Sequence, residues 1–246
     1  MDKEAKVRLD RLLVSRGLGG RREIQRLIKR GLVSRTGEII SRPETKVSPS
    51  VELEVSGVLS RPLPLLLAYH KPLGQLSTFR DPWGRSGLDQ ALPQEWRSVF
   101  HPVGRLDADT SGLLLFSSDG ALTQRLLHPR RAIPRTYLAH VHALPHDLAS
   151  QLLAGVETSF GSFTATLERV TPLEEIDAKP PGAESAVAAL EITVCEGKHR
   201  MVRRMLHNAG ASVLALHRVR YGSVALNSLE VGHHREISDH ELQDLA

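Results

Sequence analysis

The stretch "HPVGRLDADTSGLLLFSSDGALTQRLLHP", residues 101–129, sets two carboxylates, Asp107 and Asp109, directly ahead of the apolar run Leu113 to Phe116. A carboxylate at the lip of a core loses hydration, and it needs a partner or a task to stay ionised there. Gly104 and Gly112 bracket the acids as a short loop. The run after them reads as a buried strand, Asp119-Gly120 as a turn, and "ALTQRLLH" as a helix. Thr110 and Ser111 follow Asp109 and can satisfy its carboxylate locally. Asp107 has only Arg105, two positions before it, as an obvious neighbour, and is either a turn aspartate or an acid with a task.

Working outward, "LLLAYH", "RTYLAHVHA" and "AALEITVCEG" read as strands, while "HDLASQLLAG" and "HRMVRRMLHNAG" read as helices. Strand and helix do not alternate strictly, so an α+β fold with a mostly antiparallel mixed sheet flanked by helices is expected over residues 65–246. Within "EGKHRMVRRMLHNAG", Met201, Val202, Met205 and Leu206 form one apolar stripe. Arg200, Arg203 or Arg204, and His207 follow one another on a second face that can meet an anion. The polar stretch "TPLEEIDAKPPGAESA" reads as an exposed insertion.

The basic character lies at the other end of the chain. Residues 1–62 hold fourteen Lys and Arg against eight Asp and Glu, while the whole 246-residue chain has a formal charge of only +4. In "VRLDRLLVSRGLGGRREIQRLIKRGLVSRTGEII", Leu9, Leu12 and Leu13 recur at helical spacing up to a cap at Gly17, and Ile24, Leu27 and Ile28 start a second apolar stripe that ends at Gly31. Arg22, Arg26, Lys29 and Arg30 stand away from that stripe and Arg21 stands at its start, with Glu23 the one acid among them. Such a face fits the phosphates of a nucleic acid. Two strand-like runs around Thr36-Gly37 complete a small N-terminal domain over 1–57, and "SGVLSRPLP" reads as a linker over 58–64.

Composition removes several classes. The apolar stretch "PLPLLLAYH" is far short of the roughly 20 residues of a membrane span and is broken by Pro62 and Pro64. "MDKEAKVRLD" lacks the apolar segment of a signal peptide, so a soluble cytoplasmic protein is expected. The single cysteine, Cys195, excludes an internal disulfide and a multi-cysteine metal site, and it reads as a buried small hydrophobe. The histidines form no zinc-ligand pattern, so no metal is expected.

Residues 7–57, in helix, helix, strand, strand order, resemble the small RNA-binding domain first described in a ribosomal small-subunit protein, although Thr36 stands where that family usually has Asn. The segments "HKPLG" (70–74), "GRLDADTSGLLLF" (104–116), "RTYLAHV" (135–141), "EGKHRMVRRML" (196–206) and "LALHRVRYGSVAL" (214–226), in this order, resemble the pseudouridine synthases of the ribosomal small-subunit type over nearly the whole chain. That resemblance implies Asp107 as catalytic carboxylate, Tyr137 as the ring against the flipped base, and Arg203 as the cation paired with the carboxylate. It implies that Arg105 enters the RNA stack as uridine leaves it, and that Lys71 and Pro72 shape the floor of the site. Arg200 and Arg204 join Arg21, Arg22, Arg26, Lys29 and Arg30 as expected RNA contacts. Three departures bear on substrate positioning: Met201 for a common Gln, Arg135 for a common Lys, and Phe116-Ser117-Ser118 for Leu-Thr-Asn.

The implied activity is isomerisation of a uridine in ribosomal RNA to pseudouridine, by a monomer without a cofactor, with ribosomal RNA, large-subunit preferred over small-subunit, or an assembling ribosomal subunit as the partner. The alternative is a noncatalytic RNA-binding or ribosome-assembly protein on the same fold; retention of Asp107, Tyr137 and Arg203 argues against it. An aspartate phosphotransferase would want a hydrophobic strand ahead of the first acid, where this chain has "HPVGRL".

Overall fold

The computed structural model describes residues 5–176 and 179–245. It divides into two compact units, one taking in the chain up to Leu65 together with Leu92–His101, the other Leu66–Ala91 and the chain from Pro102 onward.

The first unit contains β1 (Val7–Arg8), α1 (Leu9–Ser15), α2 (Arg21–Lys29), β2 (Val33–Arg35), β3 (Glu38–Ile39), β4 (Lys46–Val47), β5 (Leu53–Val55) and β6 (Val58–Ser60). Strands β3-β2-β5-β6 form one antiparallel sheet, and β1 pairs with β4. The expected stripes close its core, with Leu9, Leu13, Ile24, Ile28 and Val33 fully buried. Thr36 and Gly37 both take positive φ, 48° and 84°, the backbone of a tight hairpin turn, so Thr36 holds a conformation that Asn adopts more readily. Gly17 ends α1 at φ 74°, and a Cβ there would lie 2.4 Å from the Glu95 carbonyl oxygen. That close approach explains how 92–101, expected with the second domain, comes to pack in this unit.

The linker expected over 58–64 is shorter than the sequence reading, because Val58–Ser60 pairs with β5 as a strand. Arg16 accounts for the difference. This buried cation donates from Nη1 to the Ser60 carbonyl at 2.9 Å and from Nη2 to the Pro49 carbonyl at 2.9 Å, so Ser60 at the end of this strand is held by a guanidinium 44 residues away in sequence.

The remaining elements are β7 (Leu66–Lys71), β8 (His101–Pro102), β9 (Thr110–Ser117), α3 (Gly120–Leu127), β10 (Arg135–Val141), α4 (Leu148–Ala154), β11 (Val156–Thr158), β12 (Gly161–Phe163), β13 (Thr166–Pro172), β14 (Ala188–Val194), α5 (Met201–Asn208), β15 (Val213–Tyr221), β16 (Val224–Ala225), β17 (His234–Glu236) and α6 (Asp239–Leu245). The main sheet of the second unit runs β13-β14-β10-β15-β9-β7-β17, with β16 on β15. The pairings along it are antiparallel except β9 with β15, which is parallel. This is the α+β, antiparallel-dominated mixed sheet that the sequence predicts. Leu113 to Phe116 are all fully buried, because both faces of β9 are covered: Leu113 and Leu115 pack with Leu122, Leu126 and Tyr221, while the Phe116 ring lies 5.7 Å from that of Tyr69. A strand buried on two sides reads as an unbroken apolar run.

Three local readings are corrected. Asp119 is the N-cap of α3, its Oδ1 accepting from the Ala121 and Leu122 amides at 2.7 and 3.2 Å, a carboxylate satisfying two free helix donors. Cys195 is exposed, since it lies just past the end of β14. The expected insertion is only partly an exposed loop: Thr171 and Pro172 belong to β13, and Ala183 and Ala186 are buried. Its Asp177 and Ala178 lie outside the described residues.

Candidate active site

The parallel pairing of β9 with β15 builds the site. It sets Thr110 beside Leu216 and Gly112 beside Arg218, which brings the loop carrying Asp107 and Asp109 to the end of β15. Gly112, at φ 103°, is required there, since a Cβ would lie 2.3 Å from the Arg218 carbonyl oxygen. In front of this junction is a cavity of about 240 Å³ whose wall includes Arg105, Asp107, Tyr137, Arg200, Arg203 and Arg218. Five of these, Arg105, Asp107, Tyr137, Arg200 and Arg203, have roles expected from sequence, and they come from loops, a strand and a helix separated by up to about a hundred residues in sequence.

The two acids have different partners. Arg200 grips Asp109 with two bonds, Nη1 to Oδ1 at 2.9 Å and Nη2 to Oδ2 at 2.7 Å, and Arg203 Nε lies 3.4 Å from the same Oδ2. Partial burial alone would raise the Asp109 carboxyl, but the Arg200 hydrogen bonds and the charges of Arg203 and Arg200 outweigh it and hold it below the usual carboxylate range. Asp107 Oδ2 is 4.0 Å from Arg200 Nη1. The sequence reading is corrected here on two points. Asp109 is not satisfied by Thr110 and Ser111, because the Ser111 hydroxyl meets His217 Nδ1 at 2.8 Å and the Thr110 hydroxyl is buried without a hydrogen-bond partner. Arg203 pairs with Asp109 and not with Asp107: standing three residues apart, Arg200 and Arg203 share one face of the helical turn and reach the same carboxylate. Arg203 also donates to the Asp109 carbonyl, so it braces the loop that presents Asp107.

Tyr137 is almost completely buried on β10, with its ring on the cavity wall. Arg218, only 3% exposed, stacks at 5.9 Å from the Tyr137 ring and 5.4 Å from the Tyr221 ring, and Arg135 covers Tyr221 at 5.1 Å. Arg218 donates from Nε to the Leu113 carbonyl at 2.7 Å, while its Nη2 is buried without a hydrogen-bond partner. Sequence reasoning passed over Arg218. The local pattern "LALHRVRYG" does not mark it, because Arg218 shares its strand face with Arg220, which is exposed, and only the neighbouring strands distinguish the two.

Lys71 is fully buried at the end of β7, donating to the Pro72 carbonyl at 2.9 Å and to the Gln75 carbonyl at 2.7 Å. Burial pushes its ammonium down to about 8, with Asp107 and Asp109 drawing it back up and Arg218 pushing it further down. It thus ties down the 71–75 turn; the Gly74 amide in turn donates to the Ala108 carbonyl, between the two acids. Arg105 is exposed at the cavity edge and takes part in none of the ion pairs of Asp107 and Asp109. Arg204 lies outside the cavity wall, donating to Ser159 Oγ at 2.7 Å. Arg21, Arg22, Arg26, Lys29 and Arg30 all lie exposed on or just after α2 in the first unit, with Arg21 3.9 Å from the buried Asp10. Among the described residues no group of three or more His, Cys, Asp or Glu side chains could hold a metal ion, and no helix is long and apolar enough to cross a membrane.

Comparison with known proteins agrees with this arrangement. The family model described as RNA pseudouridylate synthase matches residues 65–208, and that of the S4 domain matches residues 7–53. A ribosomal large subunit pseudouridine synthase B of Bacillus subtilis is 32% identical over 97% of this chain and 95% of its own length. The protein of the same name from Vibrio cholerae is 36% identical over 89% of this chain and 68% of its own length. A crystal structure of a pseudouridylate synthase superposes with a TM-score of 0.63 at 24% identity, covering 98% of this chain and all of that one, and so shares the fold.

Proposed function

The chain belongs to the RNA pseudouridylate synthase family, with an S4 domain ahead of the synthase domain, and from that premise we propose that it converts a uridine of large-subunit ribosomal RNA to pseudouridine, with Asp107 as catalytic carboxylate. The observation that carries this reading is the shared cavity. A carboxylate, an aromatic ring and several guanidinium groups line about 240 Å³ of space, smaller than the roughly 300–1,000 Å³ of drug-sized sites. That is room for one heterocycle and not for a stacked duplex, so the target base has to leave its helix to react.

Isomerisation breaks the bond from sugar C1′ to uracil N1, turns the ring, and joins C1′ to C5; C5 gives up a proton and N1 gains one. No electron leaves and no group is transferred, so the reaction asks for no cofactor. An ionised Asp107 serves as nucleophile at the sugar or as base for a sugar proton, and both routes need the acid unprotonated and within reach. Arg200 Nη1 lies 4.0 Å from its Oδ2. Tyr137 offers its ring to a base that has lost its stacking neighbours. Arg105, exposed at the edge and outside the ion pairs, is placed to fill the gap left in the RNA. The α2 arginines and lysine supply phosphate contacts from the S4 domain. A monomer is the proposed acting unit, and a ribosomal substrate supports the cytoplasm as its location.

The test is to incubate the purified protein with transcripts of each ribosomal RNA and map pseudouridine by carbodiimide-stopped primer extension. A discrete stop in the large-subunit transcript is expected. A stop confined to the small-subunit transcript overturns the choice of substrate, and no stop in either overturns the activity.

A further inference from the structure

Beside the catalytic cavity, β11 and β12 form a short hairpin with Ser159 and Phe160 at its tip. Phe160 is 50% exposed. Single exposed apolar side chains are ordinary and need no explanation, but this one is held in place. Its amide donates to Thr158 Oγ1 at 3.2 Å, and Thr158 Oγ1 donates to the Gly161 carbonyl at 2.8 Å, so the tip is braced internally. From α5, Asn208 donates to the Glu157 carbonyl at 2.7 Å and Arg204 to Ser159 Oγ at 2.7 Å. The Arg204 guanidinium then stacks 4.4 Å from the Phe160 ring centroid. A cation fixed over an aromatic ring orients it and leaves the ring half open to solvent.

The ground next to the ring is cationic. A shallow depression there is lined by Ser159, Arg203, Arg204, His207 and Asn208, with no carboxylate among them. Arg203 lines this depression and the catalytic cavity alike, so the two are neighbours on either side of it. An open aromatic face beside guanidinium groups is the pairing that single-stranded RNA uses, with a base on the ring and a phosphate on the cations.

We propose that Phe160, with Arg204 behind it, is a stacking platform for the base of a nucleotide adjacent to the uridine held in the cavity, the intervening phosphate meeting Arg203, Arg204 and His207. This rests on the proposed activity, since it assumes a flipped uridine in the neighbouring cavity. Unstacking the target strands its neighbours, and a ring at the cavity's edge recovers part of what they lose. It also gives α5 two duties: Arg203 braces the acid loop on one side, and Arg204 fixes the platform on the other.

The test compares wild type, Phe160→Ala, Phe160→Trp and Leu153→Ala, the last removing an exposed apolar side chain of α4 as a control. Binding of a single-stranded RNA carrying the mapped target is followed by fluorescence anisotropy, and pseudouridine formation is followed separately. Removing one base-stacking side chain weakens single-strand binding by about 5-fold to 150-fold, and that loss is expected for Phe160→Ala, appearing also in the RNA concentration needed for half-maximal rate. Phe160→Trp is expected to restore affinity and Leu153→Ala to leave it alone. An abasic site on one side of the target should weaken wild type but not Phe160→Ala. Wild-type affinity in Phe160→Ala, or a Phe160→Trp as weak as alanine, overturns the platform. A wild type that binds RNA but makes no pseudouridine overturns the proposed activity instead, and the binding comparison still decides the platform.

Discussion

Gly112→Ala tests the junction on which the site is built. The added Cβ would sit 2.3 Å from the Arg218 carbonyl oxygen and 2.6 Å from its amide nitrogen, at a φ of 103°. Both obstructing atoms are backbone in the parallel β9–β15 pair, so no flexible side chain can move aside. A strained non-glycine backbone costs about 1–3 kcal/mol, and overpacking adds about 1–3 kcal/mol. The sum, about 2–6 kcal/mol, is a large share of the roughly 5–15 kcal/mol of a typical fold. At about 2–4 °C per kcal/mol for a chain of this size, the midpoint of thermal unfolding should fall by about 4 to 24 °C. Activity should fall further than stability, because the forced separation moves Arg218 away from the Leu113 carbonyl and shifts the acid loop. Gly120→Ala is the control, since no atom lies within 4 Å of its added Cβ, and it should stay within about 1 kcal/mol of wild type. A Gly112→Ala midpoint within 2 °C of wild type, by circular dichroism, would refute the close-packed junction.

Asp109→Asn removes the anion shared by Arg200 and Arg203. The carboxylate and Arg200 are well exposed, so unfolding by denaturant should register only about 1 kcal/mol, and a loss of several kcal/mol would show a buried pair instead. His217, buried beside His70 and His140 and held down to about 4, stays neutral in the fold but binds a proton near 6.5 when unfolded. The unfolded chain therefore takes up more protons, and stability should drop by up to roughly 3 kcal/mol as pH falls from 6.5 to about 4; His217→Gln should flatten that slope, and an unchanged slope would assign it to other groups. Arg105→Ala should impair a structured stem substrate far more than a short oligonucleotide whose uridine is already unstacked; equal single-turnover losses on both would point to a role other than filling the RNA stack.

The legible parts of this protein are those in which neighbours along the chain are also neighbours in space. Ile24 and Ile28 declare α2, and Leu113 to Phe116 declare a strand covered on both faces. What the chain concealed depends on distant partners. Asp109 faces cations 91 and 94 residues further on, so the local hydroxyls of Thr110 and Ser111 seemed the natural partners. Arg16 reaches 44 residues to Ser60, which turns an apparent linker into an edge strand. Arg218 was missed because a cation on a strand reads as a solvated side chain until the neighbouring strands cover it. Much of the cavity's composition was readable through motif resemblance, and separate tasks for Asp107 and Asp109 were expected from sequence, yet the arginines that hold Asp109 are seen only with α5 brought against its loop.

The central claim is that Asp107 performs the chemistry while Asp109 and its arginines hold the loop. Single-turnover pseudouridine formation by Asp107→Asn on the mapped ribosomal RNA, with affinity measured on the same RNA, tests it most directly. The substitution keeps the size of the side chain and removes its charge, so no product should form over the time in which wild type completes a turnover, while affinity stays within a few-fold. Near-normal turnover by Asp107→Asn would contradict the assignment.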